Sequence, residues 1–225
     1  MNTETLQEML ARRNIRLVLA SASPRRRELM RQAELFPEIL PSHKEERSRA
    51  KTPAALVKAL SGTKAGDIAA QLCAGAEAAD GAEHQAEKAD GSFLVVGADT
   101  IVVHDGLVLG KPKDPEDAAR MLRELSGRTH HVYTGVTLIL GGAAGQLRKV
   151  SFYEKTAVQV YPLTEAEIRA YVSSGDPLDK AGAYGIQGAF GQHIRGIRGD
   201  YTNVVGLPLG RTVWEMKKLL TEESE

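Results

Sequence analysis

The stretch RLVLASASPRRREL constrains this chain more than any other part of it. Arg16 to Ala20 reads as a short buried strand. Ser23-Pro24 follows at once as a helix N-cap with proline in the first helical position, where its fixed φ and missing N–H are tolerated. A strand that runs directly into a helix is a building unit of layered α/β chains. Thr52-Pro53 opens a second helix in which Leu56, Leu60, Lys64, Ile68 and Leu72 recur every four residues along one slowly drifting face, so that a lysine falls within the apolar stripe. Phe93 to Ala98 is an apolar strand, and TIVVH-DG-LVLGK after it is a hairpin, because Asp105-Gly106 suits a two-residue type I′ turn. Counting back from that turn pairs His104 with Leu107, Val102 with Leu109 and Thr100 with Lys111, the last pair making a polar cluster at the hairpin's open end.

Asp114-Pro115 caps a third helix carrying Ala118, Met121, Leu122 and Leu125, and Gly127 supplies its left-handed stop. Two long strands are expected at about 129–140 and 150–160. Thr164 with Glu167 forms a capping-box pattern for a fourth helix ending near Gly175, and Leu209, Val213, Met216 and Leu220 give the last helix its buried face. The order β-α-β-α-β-β-α-β-β-α-(loop)-α is that of a mixed α/β chain, expected to form a single domain over residues 1–225. Between Cys73 and Ser92 the sequence turns to Ala, Gly, Glu and Asp, with almost nothing bulky and apolar to offset the entropy of ordering, which predicts a flexible insertion at about 73–92.

Charge narrows the partners. Twenty-nine Lys and Arg balance 29 Asp and Glu, so no basic excess points to broad phosphate-backbone binding, and no specific nucleic-acid partner is expected. One cysteine, Cys73, excludes an internal disulfide and fits a reducing cytoplasm. The apolar runs are too short to span a bilayer, and the N-terminal stretch is acidic where an export signal is basic.

Several residues carry candidate chemistry. The junction SASPRRREL exposes free backbone N–H groups at a positive helix end, with Arg25 and Arg26 in the first turn, a combination suited to a polyphosphate. On the junction alone, an ordinary capped helix with solvated arginines accounts for the same residues. Asp99 ends an apolar strand, where a carboxylate either ligates Mg²⁺ or Mn²⁺ and accepts a proton from water, or merely forms a turn. Lys64 favours the first reading if an anionic site lies near its helix face. Glu45 and Glu46, in the loop PSHKEERSR, offer further oxygen ligands, although that loop by itself reads as solvated and charged. The glycine-rich segment from Asp176 to Gly210 is interrupted by Tyr184, Ile186, Phe190, Ile194 and Ile197 and is expected to fold over a ligand. Gln187 within it carries both an amide donor and an acceptor, a match for N3–H and O4 of uracil or thymine, or simply a loop brace. Competing signatures fail: GLVLGKP is one residue short of a phosphate-binding P-loop and ends in proline, and the six histidines show no metal-ligand spacing.

The strings LASASPRRREL, VVGADTIVV, LGKPKDPEDAARMLRELSGRTHHVYTGV and DKAGAYGIQG…GDYTNVVGLPL, in this order, closely resemble the Maf family of nucleoside triphosphate pyrophosphatases. The resemblance implies an elongated α/β fold, a mixed β-sheet flanked by helices with a central cleft, shared with the inosine triphosphatase-like enzymes. It implies cleavage of dTTP or UTP to the monophosphate and pyrophosphate with a divalent cation, Mg or Mn, as cofactor, and it leaves room for a homodimer. Carried over position by position, it implies Asp99 as proton acceptor and Arg25, Thr100 and Gln187 as determinants of substrate choice. Lys64 and Lys111 match lysines aimed at phosphates. Glu46 matches an acidic residue near the metal, beside Asp99. His43-Lys44 replaces the usual Asp-containing lead-in, so Glu45 and Glu46 are interchangeable in that role. The alternatives are the sister branch acting on methylated GTP and, outside enzymes, a regulator of septum formation.

Overall fold

The computed structural model describes residues 4–45, 48–79, 91–142 and 146–222. In chain order the elements are α1 (Leu6–Arg12), β1 (Arg16–Leu19), α2 (Pro24–Gln32), β2 (Glu38–Ile39), α3 (Pro53–Ala79), β3 (Phe93–His104), β4 (Leu107–Leu109), α4 (Pro115–Leu125), β5 (Thr129–Gly141) and β6 (Leu147–Val160). After these come α5 (Glu165–Ser173), three short 3₁₀ turns, β7 (Ile194–Arg198), α6 (Tyr201–Val205) and α7 (Leu209–Thr221). The strands form one mixed sheet in the order β2-β1-β3-β5-β6-β7, with β4 added beside β3. The expected mixed α/β sheet flanked by helices is therefore present.

One detail of the sheet creates the site. β1 runs parallel to the first third of β3, pairing Arg16 to Leu19 with Phe93 to Val96, while β4 runs antiparallel to its last three residues, Val102 to His104. Both strands use the same edge of β3 and, among the described residues, leave Gly97 to Ile101 without a strand partner on that side. The other edge pairs continuously with β5. A gap thus opens in the sheet where β1 ends and hands over to α2, at the carboxyl end of a parallel strand, where open α/β sheets characteristically bind ligands.

Alternation along β3 sorts its side chains between the two faces. Phe93 and Val95 pack under α3 with Ala65, Ile68 and Ala69, while Leu94, Val96 and Ala98 face a core shared with α1, α2 and α7. Helix α3 lies unusually close to the sheet because two strand positions beneath it are glycine. A Cβ added to Gly97 would sit 2.4 Å from the Ser61 carbonyl oxygen, and one added to Gly135 would sit 2.3 Å from the Val57 backbone.

Most local expectations hold. Asp105 and Gly106 both have positive φ, as the type I′ turn requires, and Leu107 pairs with His104 and Leu109 with Val102. Ala118, Met121, Leu122 and Leu125 are the buried residues of α4, Asp114 accepts from the Asp117 amide, and Gly127 takes the left-handed φ. Thr164 and Glu167 form the full capping box.

The differences have physical reasons. Thr100 and Lys111 do not pair: β4 stops at Leu109, and the Gly110 carbonyl instead accepts from the Gly182 amide at 3.0 Å, which draws the strand off β3. Helix α3 continues through Ala79, so the first part of the Ala-rich stretch is helical, consistent with the high helix propensity of alanine. The rest of the expected insertion, residues 80–90, lies outside the described residues. The stripe on α3 is wider than the four-residue spacing implies, with Val57, Ser61, Ala65 and Ala69 buried beside Leu60 and Ile68. Helix α1 was not anticipated, nor was β7, whose residues are largely exposed and show no alternation to find.

Candidate active site

The gap in the sheet opens into a cleft of about 800 Å³. It is lined by the β1–α2 junction from Ala20 to Arg26, by Lys64 of α3, by Asp99 and Thr100 of β3, by Lys111, and by residues of the segment from Asp179 to Gln187. Arg25, Arg26, Lys64, Asp99, Thr100, Lys111 and Gln187, predicted from five separate parts of the sequence, therefore meet in one place. Glu46 lies outside the described residues, and Glu45 is exposed in the preceding loop.

Asp99 and Thr100 are consecutive in a strand and so point to opposite faces. Asp99 turns toward α3 and is only 7% exposed. The Lys64 ammonium donates to its Oδ1 at 2.6 Å, and both side chains are largely enclosed. The lysine inside the apolar stripe is explained: the glycine-permitted approach of α3 lowers it onto the carboxylate.

Thr100 turns the other way, into a buried polar chain. Its hydroxyl is 2.9 Å from that of Thr134, which donates to the Asn203 carbonyl. Arg26, 9% exposed, donates from Nη2 to Thr100, from Nη1 to Ser21 and from Nε to the Gly206 carbonyl. Its guanidinium fastens the β1–α2 junction to β3 and to the end of α6, so its first task is to fix the cleft's shape. Its neighbour Arg25 stands at the mouth, paired with Asp179 at 3.3 Å. Ser23 is the N-cap of α2 but makes no side-chain capping bond, so its hydroxyl does not occupy the N–H groups of the first turn, which suit an anion. Lys111 is exposed on the opposite lip, its ammonium without an ion pair among the described residues.

The glycine-rich segment lines the cleft as expected, but its anchoring was not read from sequence. Lys180 donates to Asp176 and Asp179, and Tyr171 of α5 donates to Asp176 at 2.5 Å while accepting from the Gly185 amide. Burial opposes ionisation of Asp179, yet Lys180 and Arg25 outweigh it and hold the carboxyl below its ordinary range. Gln187 is exposed on the cleft wall, and its carboxamide makes no hydrogen bond among the described residues. Lys180 and Tyr184 were within reach of sequence reasoning, since the string DKAGAYGIQG contains them. Asn203 and Thr134 offered no signal beyond being polar in apolar company.

Behind the segment lies His130 of β5, wholly buried, with Nε2 2.7 Å from the Tyr184 hydroxyl. Burial, with smaller effects from His104 and His131, pushes the His130 pKa down to about 3. The folded protein keeps this ring neutral while the unfolded chain protonates it below about pH 6.5. The associated stability is present above that pH and is lost as pH falls toward 3, by up to about 1.4 kcal/mol per unit. Denaturant midpoints are expected to fall between pH 7 and pH 5, and His130→Gln to flatten that slope. An unchanged slope in the variant would remove His130 as the cause.

A family model described as Maf-like protein matches residues 16–219. A protein of Agathobacter rectalis called dTTP/UTP pyrophosphatase is 50% identical over 90% of this chain and 97% of its own. Proteins of the same description from Geobacillus sp. (strain WCH70) and Bacillus pumilus are each 46% identical, over 90% and 88% of this chain and 97% and 93% of their own. A solved nucleoside-triphosphatase / dITP/XTP pyrophosphatase of Mycobacterium abscessus aligns over 66% of this chain and 76% of its own, at 14% identity and a TM-score of 0.31, a likeness too loose to bear on the fold.

Proposed function

This chain belongs to the Maf-like family, and from that premise we propose that it hydrolyses nucleoside triphosphates, dTTP and UTP in preference, to the monophosphate and pyrophosphate. The observation that carries the reading is the enclosed Lys64–Asp99 pair at the floor of a cleft whose mouth holds Arg25 and Lys111. Water attacks the α-phosphorus, the bond to the bridging oxygen of the β-phosphate breaks, and pyrophosphate leaves. Asp99 orients the water and accepts its proton. Lys64 fixes the Asp99 carboxylate, and with Arg25 and Lys111 it offsets charge on the phosphates. Arg26 and Thr100 hold the strand and the junction in register around the bond to be cut.

A divalent cation is part of the proposal. Among the described residues no group of three or more His, Cys, Asp or Glu is placed to hold one. The donor set still fits Mg or Mn, which usually binds through one or two carboxylates with substrate phosphates supplying other ligands. Asp99 would be the carboxylate, with Glu46 or Glu45 from the loop. When bound, such an ion would withdraw negative charge from the phosphates.

Among the described residues no helix is long and apolar enough to cross a membrane. We place the reaction in the cytoplasm, with the triphosphate rather than nucleic acid as partner, and leave the homodimer to light scattering. Purified protein incubated with Mn²⁺ and dTTP, UTP, CTP or GTP should release pyrophosphate and monophosphate in equal amounts, with kcat/KM for dTTP and UTP at least about tenfold above GTP. The Gln187 amide makes no hydrogen bond among the described residues and can turn to match either base. CTP should therefore be rejected less strongly than GTP, and Gln187→Glu should harm UTP and CTP alike, whereas an orientation fixed by the glycine-rich backbone would make the loss larger for UTP. Preference for methylated GTP would move the chain to the sister branch, no turnover with any nucleotide would favour a regulator, and activity surviving chelation would remove the metal.

A further inference from the structure

We infer that His130 is a positioning residue for base recognition, acting through the Tyr184 hydroxyl on the cleft wall that carries Gln187. The inference rests on the pyrimidine nucleotide reading above. The wall from Lys180 to Gln187 is not a regular element: Gly182 and Ala183 have left-handed φ, and such a backbone keeps its path only where its surroundings hold it. Its start is held by the Gly182 amide on Gly110 and by Lys180 on Asp176. From Tyr184 to Gln187, among the described residues, two bonds involving side chains tie it to the rest of the fold. The Gly185 amide donates to Tyr171, and the Tyr184 hydroxyl meets His130.

The second tie is the one anchored in the sheet. His130 is fixed by the β5 ladder and has no exposed surface. Its ring meets that of Tyr184 edge-on, with centroids 5.2 Å apart at 81°, and Phe190 also packs against Tyr184 at 4.9 Å. The tyrosine ring is thus gripped by packing, but the hydroxyl bond sets how deep it sits. Among the described residues, His130 already has one buried ring atom, Nδ1, without a hydrogen-bond partner. Losing the Tyr184 bond would leave a second, and the wall would relax before it tolerated that. Gln187 follows three residues later on the same short segment, so its reach into the cleft depends on Tyr184. Asp99 and Lys64 belong to β3 and α3 and are tied to each other, so the elements that place them are not those of this wall.

Tyr184→Phe keeps the ring and removes the bond, His130→Leu removes it from the other side, and His130→Gln restores a polar group near the place of Nε2. Dissociation constants for UMP by calorimetry, with kcat and KM for UTP and GTP, decide the matter. In Tyr184→Phe and His130→Leu the Kd for UMP and the KM for UTP should rise about tenfold, the size of one lost hydrogen bond. Saturated kcat should stay within about threefold and the preference over GTP should shrink, because the catalytic pair is untouched. His130→Gln should recover most of the affinity. Wild-type UMP affinity in both bond-breaking variants would overturn the inference. So would equal losses on UTP and GTP with a lowered melting temperature and no rescue by glutamine, which mark a merely structural role. UMP binding needs no turnover, so the Kd comparison decides this point even for a protein that releases no pyrophosphate.

Discussion

Replacing Asp99 by asparagine is expected to leave the fold intact and lower kcat at least about a hundredfold. The substitution conserves shape, and the new amide oxygen can still accept from Lys64, so the bond that seats α3 over β3 survives. The negative charge does not. An amide is a far poorer proton acceptor than a carboxylate and a far weaker ligand for a hard cation, and both losses fall on the chemical step. Circular dichroism and the melting temperature should match the wild type, while pyrophosphate release at saturating Mn²⁺ collapses. Near wild-type turnover would take Asp99 out of the mechanism.

Gly97→Ala should be nearly as damaging without touching a reacting group. The added methyl would fall 2.4 Å from the Ser61 carbonyl and 2.8 Å from the Ala65 amide nitrogen, both backbone atoms of α3, so the helix must lift. Overpacking of this kind costs about 1–3 kcal/mol. The same movement draws Lys64 away from Asp99, and displacement of a catalytic group by about 1 Å can cost a hundredfold in rate. The control is Gly66→Ala, on the same helix, where an added Cβ meets nothing within 4 Å. That change should be neutral in activity and stabilise by about 0.5–1 kcal/mol. Should Gly97→Ala melt and turn over like the wild type, close seating of α3 would not be what positions Lys64.

These two residues mark how far the sequence can be read. Asp99 and Lys64 were visible because each breaks an apolar pattern, although Asp99, read as ending a strand, lies inside β3, which runs on to His104 because its ladder with β5 continues past it. Their meeting was not visible, since it depends on glycines whose role appears only when a helix is laid over them. Arg26 looked like a ligand for phosphate because its position in the first turn of α2 was legible. Its hydrogen bonds reach residues 21, 100 and 206, which no local pattern brings together. Helix α1 had a signal that went unread, the Thr5 and Glu8 capping box. The Thr100–Lys111 register failed because hairpin counting assumes that the ladder continues, whereas a competing acceptor position at Gly110 ended it.

The divided edge of β3 bears on how the chain reaches this state. In the meander of β3, β5 and β6, the long β5–β6 ladder closes only a short loop, while β3 reaches β5 across β4 and α4. Contacts between nearby segments are the ones that form early. The cleft is stitched from more distant segments: Arg26 to Thr100 spans 74 residues and Arg26 to Gly206 spans 180. Its walls are therefore among the last parts to assemble and the first to come apart. A nucleotide lying across them acts as a clasp between chain segments that nothing local holds, and protection against proteolysis by UMP should begin at the β1–α2 junction and at α6 before it reaches the central meander.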